Sequence, residues 1–185
     1  MIWELRYASV NDYAMVVPLD DEDSLSGRFD MDGSPKKWMD RPLVGFADSK
    51  RRKHKRPPAD VSAMVPGALV LNERAKETLG AFLSKFGQLL ELDCEGTGEI
   101  RYLYNVTNIV PCVDVARSEK TERGRIKMEV FDDIAVPKDA SVFKDPSTVT
   151  SRIYINEEGK AILDPLIAEA KLTGIECAAL MPRPG

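Results

Sequence analysis

Two stretches of this chain, LVLNERAKETLGAFLSKFG and IYINEEGKAILDPLI, each run from a short apolar strand pattern through an asparagine into an amphipathic helix pattern. No other feature constrains the fold as much. An apolar strand has to be buried in a sheet, and the helix that follows has to return its one apolar stripe to the same core. Asn72 and Asn156 stand 84 residues apart, and asparagine is a residue type whose side-chain oxygen accepts from the free N–H groups of a first helical turn. In the first copy Ala75, Leu79, Phe82, Leu83 and Phe86 fall on one helical stripe, and Gly87 stands where a left-handed cap would close the helix. In the second copy Gly159 and Pro165 weaken the pattern. A proline inside a helix costs about 3 kcal/mol, so this helix is expected to start late, kink, or restart near Asp164 with Pro165 in its first turn. The likeness does not extend into the flanks beyond the preceding strand, which reads as one local solution used twice and not as a repeat architecture.

The remaining patterns are mostly strands. IWELRYA and YAMVVPL are separated by the turn-like SVND and are expected to pair; QLLELDC and EIRYLYNVTNIV flank EGTG as a hairpin. RIKMEVF, SVFKDP and RIYI add shorter strands, and KLTGIECAAL closes with a glycine cap and a buried strand. The fold class is therefore α+β, mainly antiparallel strands with two amphipathic Asn-capped helices. A chain of 185 residues buries enough apolar surface to fold without metal or disulfides. We read residues 1–185 as a single domain with a loosely organised N-terminal lobe, about 1–60, and a better-defined body, about 61–185. Between residues 20 and 60 the chain is polar, and Trp38, Leu43, Val44 and Phe46 are the side chains expected to pin that excursion to the core.

Function is constrained mainly by exclusion. The balance of 26 basic against 30 acidic side chains opposes general attraction to nucleic acid or anionic lipid, so any basic surface must be local. Cys94, Cys112 and Cys177 are odd in number and widely spaced, which suggests neither a disulfide framework nor a zinc site and fits a reducing cytoplasm. The first residues carry Glu4 and Asp12 and no long apolar run, so neither a signal peptide nor a membrane span is expected. His54 is the one histidine and lies inside the basic run KRRKHKR, residues 50–56, so every histidine-based triad or zinc site would depend on a solvated residue among like charges.

Four local signals remain. The basic run is read as a solvated connector, because RPP imposes extended backbone directly after it; a nucleic-acid-binding module using that run is the competing reading, and nucleic acid is disfavoured. Asp145 with the Glu158 and Lys160 pair has the composition of a small Mg-dependent nuclease-like site, but Glu158 and Lys160 follow the helix cap, where positions i and i+2 diverge. Asp30, Asp32 and Gly33 are spaced like part of a calcium loop, yet Arg28 and Met39 occupy positions that need carboxylates. Lastly, Asp20, Asp21, Glu22 and Asp23, followed by Asp30 and Asp32, form an acidic cluster suited to steering a basic partner. No catalytic, metal or cofactor-binding residue is assigned, and no cofactor is expected.

From residue 60 onward the order of LVLNERAKETL, YLYNV, VDVARSE, VFKD, IYINEEGKAIL and LTGIECAAL resembles family eleven of the bacterial polymorphic-toxin immunity proteins, once known only as a domain of unknown function. The resemblance spans residues 65–180 and implies a cytoplasmic, non-enzymatic protein that binds and neutralises a cognate toxin domain encoded nearby by occluding it. It brings no functional residues with it, and it leaves a homo-oligomer open. Under this reading Asp20, Asp21, Glu22, Asp23, Asp30 and Asp32 are the candidate partner-binding residues, acting as mimics of phosphate if the toxin has a basic cleft.

Overall fold

The computed structural model describes residues 1–8, 11–47 and 55–182. Along the chain the elements are β1 (Ile2–Tyr7), β2 (Met15–Pro18), α1 (Asp21–Leu25), β3 (Leu43–Ala47), β4 (Val61–Ser62), β5 (Leu69–Leu71), α2 (Glu73–Leu83), β6 (Gly87–Cys94) and β7 (Ile100–Val106). They continue with β8 (Glu119–Lys120), β9 (Ile126–Met128), β10 (Val142–Phe143), β11 (Tyr154–Asn156), α3 (Glu157–Ala170) and β12 (Ile175–Ala179). The fold is α+β, with two main sheets that are antiparallel except where β3 runs parallel to β6.

The first sheet has the order β10-β11-β1-β12. The first strand of the chain thus sits between two of the last, pairing Trp3 with Ile155 on one side and Leu5 with Cys177 on the other. The expected pairing of the two N-terminal strands is not made: β2 joins β3 in the second sheet instead. The reason is hydrogen-bonding capacity, since both edges of β1 are taken by β11 and β12 and no edge is left for a hairpin partner.

The second sheet has the order β2-β3-β6-β7-β5-β4. It curls until its outer strands meet, with Val16 N–H donating to the Ala63 carbonyl (2.9 Å) and Ala14 N–H to that of Pro57 (3.0 Å). Strand β5 is buried on both faces, which is why its sequence is a continuous apolar run and does not alternate. Leu69, Leu71, Tyr102 and Tyr104 face the helices and join Leu5, Ile155, Leu79, Leu83 and Leu163 in the main core. Val70, Leu92 and Leu103 face inward with Val16 and Val44 to form a second core. Phe29 and Met31, from the polar excursion, fill this second core alongside the partly buried Trp38 and Phe46. Trp38, Val44 and Phe46 pin the excursion as expected, but Leu43 is 42% exposed, and Phe29 and Met31 are core side chains that were not expected.

Both asparagine caps form. Asn72 accepts from Ala75 N–H (2.8 Å) and Asn156 from Gly159 N–H (3.0 Å), each with extended backbone. Three helix-end expectations are corrected. Helix α3 starts directly after its cap and runs through Pro165 without restarting, because Leu163, Leu166 and Ile167 pack into the main core and offset the lost hydrogen bond. Helix α2 ends at Ser84 in right-handed geometry, not at Gly87. Gly87 instead opens β6 where a Cβ would run into the backbone of Asn105 and Val106. The left-handed cap of α3 is Lys171 (φ 51°), which ends the helix through its N–H bonds to Ala168 and Ile167. Gly174 (φ 81°) serves a close approach, because a side chain there would strike the Val61 carbonyl. The closing strand β12 is half-buried and not buried throughout.

Asn156 does more than cap. Its Oδ1 also accepts from Ser141 N–H (2.9 Å), and its Nδ2 donates to the carbonyls of Pro137 (3.0 Å) and Asp139 (2.7 Å). Asn72 makes one further bond, to Asp60 (2.9 Å). Chemical denaturation should therefore show Asn156→Ala costing about 2–4 kcal/mol and Asn72→Ala about 1–2 kcal/mol. Equal losses would mean that the bonds to residues 137–141 contribute nothing.

Candidate partner-binding surface

Asp20 is the N-cap of α1, its Oδ1 accepting from Glu22 N–H (2.9 Å). Asp23 accepts from Arg28 (2.6 Å), and the same guanidinium reaches Asp40 (3.2 Å) and lies over the Trp38 ring, 5.3 Å from its centre. These contacts order the acidic segment on the surface. Asp20, Asp21 and Asp23 share a groove of about 490 Å³ with Leu19, Arg28, Asp40, Arg41 and Leu43. Glu22 is exposed beside it. Asp30 and Asp32 do not line the groove. Asp32 instead forms a turn with Ser34, whose hydroxyl and amide hold its carboxyl below the usual carboxylate range, and pairs with Lys36 at 3.6 Å.

The groove also contains residues that sequence reasoning missed. Asp40, Leu19 and Leu43 line it, brought together by the Leu19–Leu43 backbone bond and the Arg28 bridge to Asp40, which no local window of sequence contains. Of the basic run, residues 50–54, including His54, lie outside the described residues; Lys55 is exposed and Arg56 half-buried.

The three residues of the nuclease-like reading have separate tasks. Asp145 is 3% exposed; its Oδ2 accepts from Cys112 and Val113 N–H, both 2.8 Å, and its Oδ1 from the Ser147 amide (2.7 Å) and hydroxyl (2.6 Å). Glu158 is exposed in the first turn of α3, while Lys160 pairs with Asp164 one turn on and lies 4.7 Å from the centre of the Trp3 ring. Among the described residues no group of three His, Cys, Asp or Glu side chains is arranged to hold a metal ion. The cysteines are free, and burial pushes the thiols of Cys112 and Cys177 up to about 12.

A second buried carboxylate, Glu129, is paired with a buried guanidinium. Glu129 accepts from Arg152 (3.0 Å) and from the Tyr154 hydroxyl (2.8 Å), which in turn lies 2.7 Å from the Thr148 hydroxyl. A second cleft, about 400 Å³, is lined in part by Glu4, Arg6, Tyr7 and Glu176; Arg6 and Glu176, directly opposite each other on β1 and β12, pair at 2.8 Å. No helix among the described residues is long and apolar enough to cross a membrane. No protein-family model matches the chain, and no curated protein matches it.

Lys144 ties the acidic excursion to the body. Its ammonium is fully buried and donates to the Met31 carbonyl at 2.8 Å. Burial pulls its pKa down to about 8, partly opposed by the charge of Asp32. Below about 8 the lysine is protonated in both native and unfolded chains, and its burial penalty is constant. Between there and the ordinary lysine value the native state has shed the proton while the unfolded chain keeps it, so stability rises with pH. Denaturant titrations of wild type and Lys144→Met should thus diverge in favour of wild type by about 2–3 kcal/mol from pH 7.5 to 10.5. Parallel profiles would show that Lys144 titrates normally.

Proposed function

We propose that this protein binds a cognate bacterial toxin domain encoded nearby and neutralises it by occlusion, without chemistry of its own. The observation that carries this reading is the outward acidic segment. The chain holds residues 20–40 in a defined surface through Arg28, Trp38 and Lys144 and through Phe29 and Met31 in the second core, although the only regular element there is one short helix. A solvated loop needs no such anchoring, whereas an inhibitor needs a surface whose shape exists before the partner arrives. The order of soft motifs from residue 65 to 180 supports the same assignment, to immunity family eleven. A cytoplasmic location follows from this role, since the toxin must be met where it acts.

The test is co-expression with the protein encoded by the adjoining gene. Cells carrying both should grow where cells carrying the neighbour alone do not, and the two chains should co-purify as a stable complex. Continued toxicity despite abundant soluble protein, or catalytic turnover by the pure protein, would overturn the proposal.

A further inference from the structure

Among the described residues, four of the ten exposed large hydrophobic side chains lie on two short segments: Leu19 (41% exposed), Leu25 (86%), Met39 (94%) and Leu43 (42%). Leu19 and Leu43 line the acidic groove directly and are joined by the bond from Leu19 N–H to the Leu43 carbonyl (3.1 Å). Leu25 ends the helix whose first turn lines that groove, and Met39 adjoins Asp40 of its wall. Scattered exposed hydrophobics are ordinary, but such a concentration at one corner marks an interaction surface.

The charges at this corner state what chemistry covers it. The lining holds four carboxylates, Asp20, Asp21, Asp23 and Asp40, against Arg28 and Arg41. Arg28 is engaged by Asp23 and Asp40, while Arg41 turns to Glu91 (2.5 Å) and Asp93 (3.7 Å) outside the groove. The corner therefore carries a net negative rim around apolar side chains. That pattern repels phosphate and anionic lipid, and it matches a protein face with an apolar centre ringed by basic side chains. A metal ion is a poor occupant, because Asp20 is spent on its helix cap and Asp23 on Arg28.

We infer that this corner, between the start of α1 and the start of β3, docks the toxin, and that the docked face of the toxin presents an exposed apolar side chain among Lys or Arg residues. The inference rests on the toxin-binding reading. It moves the contact away from Asp30 and Asp32 and onto Leu25, Met39 and Asp40.

The probe is the protein domain encoded by the adjoining gene, immobilised in a catalytically inactivated form, with association and dissociation rates measured by surface plasmon resonance. Leu25→Ser combined with Met39→Ser should raise Kd by about tenfold or more, chiefly through faster dissociation. Asp21→Lys with Glu22→Lys should slow association about tenfold at low salt, with the difference shrinking as salt rises. The neutral pair Asp21→Asn with Glu22→Gln should fall between, and Ile134→Ser, 90% exposed on another segment, should bind as wild type does. All these positions are exposed, so unchanged thermal unfolding verifies the fold. Wild-type binding that both the apolar and the charge variants retain would overturn the docking face while leaving the toxin-binding reading intact. Absence of binding by the wild type would remove that reading, and the docking face with it.

Discussion

Strand β1 is hydrogen-bonded on both edges by strands from the far end of the chain, and the arrangement of everything between depends on that closure. Leu5 N–H donates to Ile153 (2.9 Å), so Leu5 and Trp3 turn their peptide groups toward β11 while Glu4 and Arg6 turn theirs toward β12. Ala8 N–H extends the pairing to Gly174 (2.9 Å). The chain leaves this sheet with no free edge beside it and enters the curled second sheet at β2. Closing a loop of that length costs conformational entropy before any strand contact repays it. The native topology is therefore dominated by non-local pairing, which places folding at the slower end for a domain of this size.

Residues 107–152 carry few and short strands, and buried side chains do there what a ladder does elsewhere. Backbone N–H groups removed from water need acceptors. Asp145 supplies them to Cys112 and Val113, while the neighbouring Lys144 reaches the other way to the Met31 carbonyl. Glu129 gathers Arg152 and Tyr154, and Arg152 continues to the Met181 carbonyl (2.5 Å), linking the irregular segment to the end of the chain. Removing either member of such a pair leaves an uncompensated buried charge, which is why these groups hold a segment with little regular structure.

What was legible in the sequence follows from the range of the interactions. The two asparagine caps, the apolar stripe of α2, the EGTG hairpin and the α+β class are set by neighbours within a few residues, and each could be read. The partner of β1, the continuity of α3 through Pro165 and the role of Phe29 and Met31 are set across the chain, by packing and strand edges that no local window contains. Gly87 and Gly174 show the same limit, for both were legible as glycines with a purpose, yet their purpose is the close passage of a distant backbone and not a helix cap. At the candidate site the acidic cluster was visible, but its division was not: Asp32 is drawn into a turn with Ser34 and Lys36, while Asp40 joins Asp23 through Arg28.

Arg28 explains how a polar excursion acquires a surface of fixed shape. Its guanidinium bridges Asp23 and Asp40, which are distant in sequence, donates to the Asp40 carbonyl (2.7 Å), and stacks on Trp38, which meets Phe29 edge-on with ring centres 6.0 Å apart. Phe29 in turn is seated in the second core. An exposed ion pair alone would contribute little, because holding two long side chains costs entropy. Here the pair is about one-fifth exposed or less on the Arg28–Asp23 side and rests on an aromatic anchored in apolar packing, so the ordering cost is met on folding and not on association. Under the docking proposed above, Asp21, Met39 and the rest of the corner meet the partner as a preformed contour, and affinity depends on complementarity without a folding penalty subtracted from it.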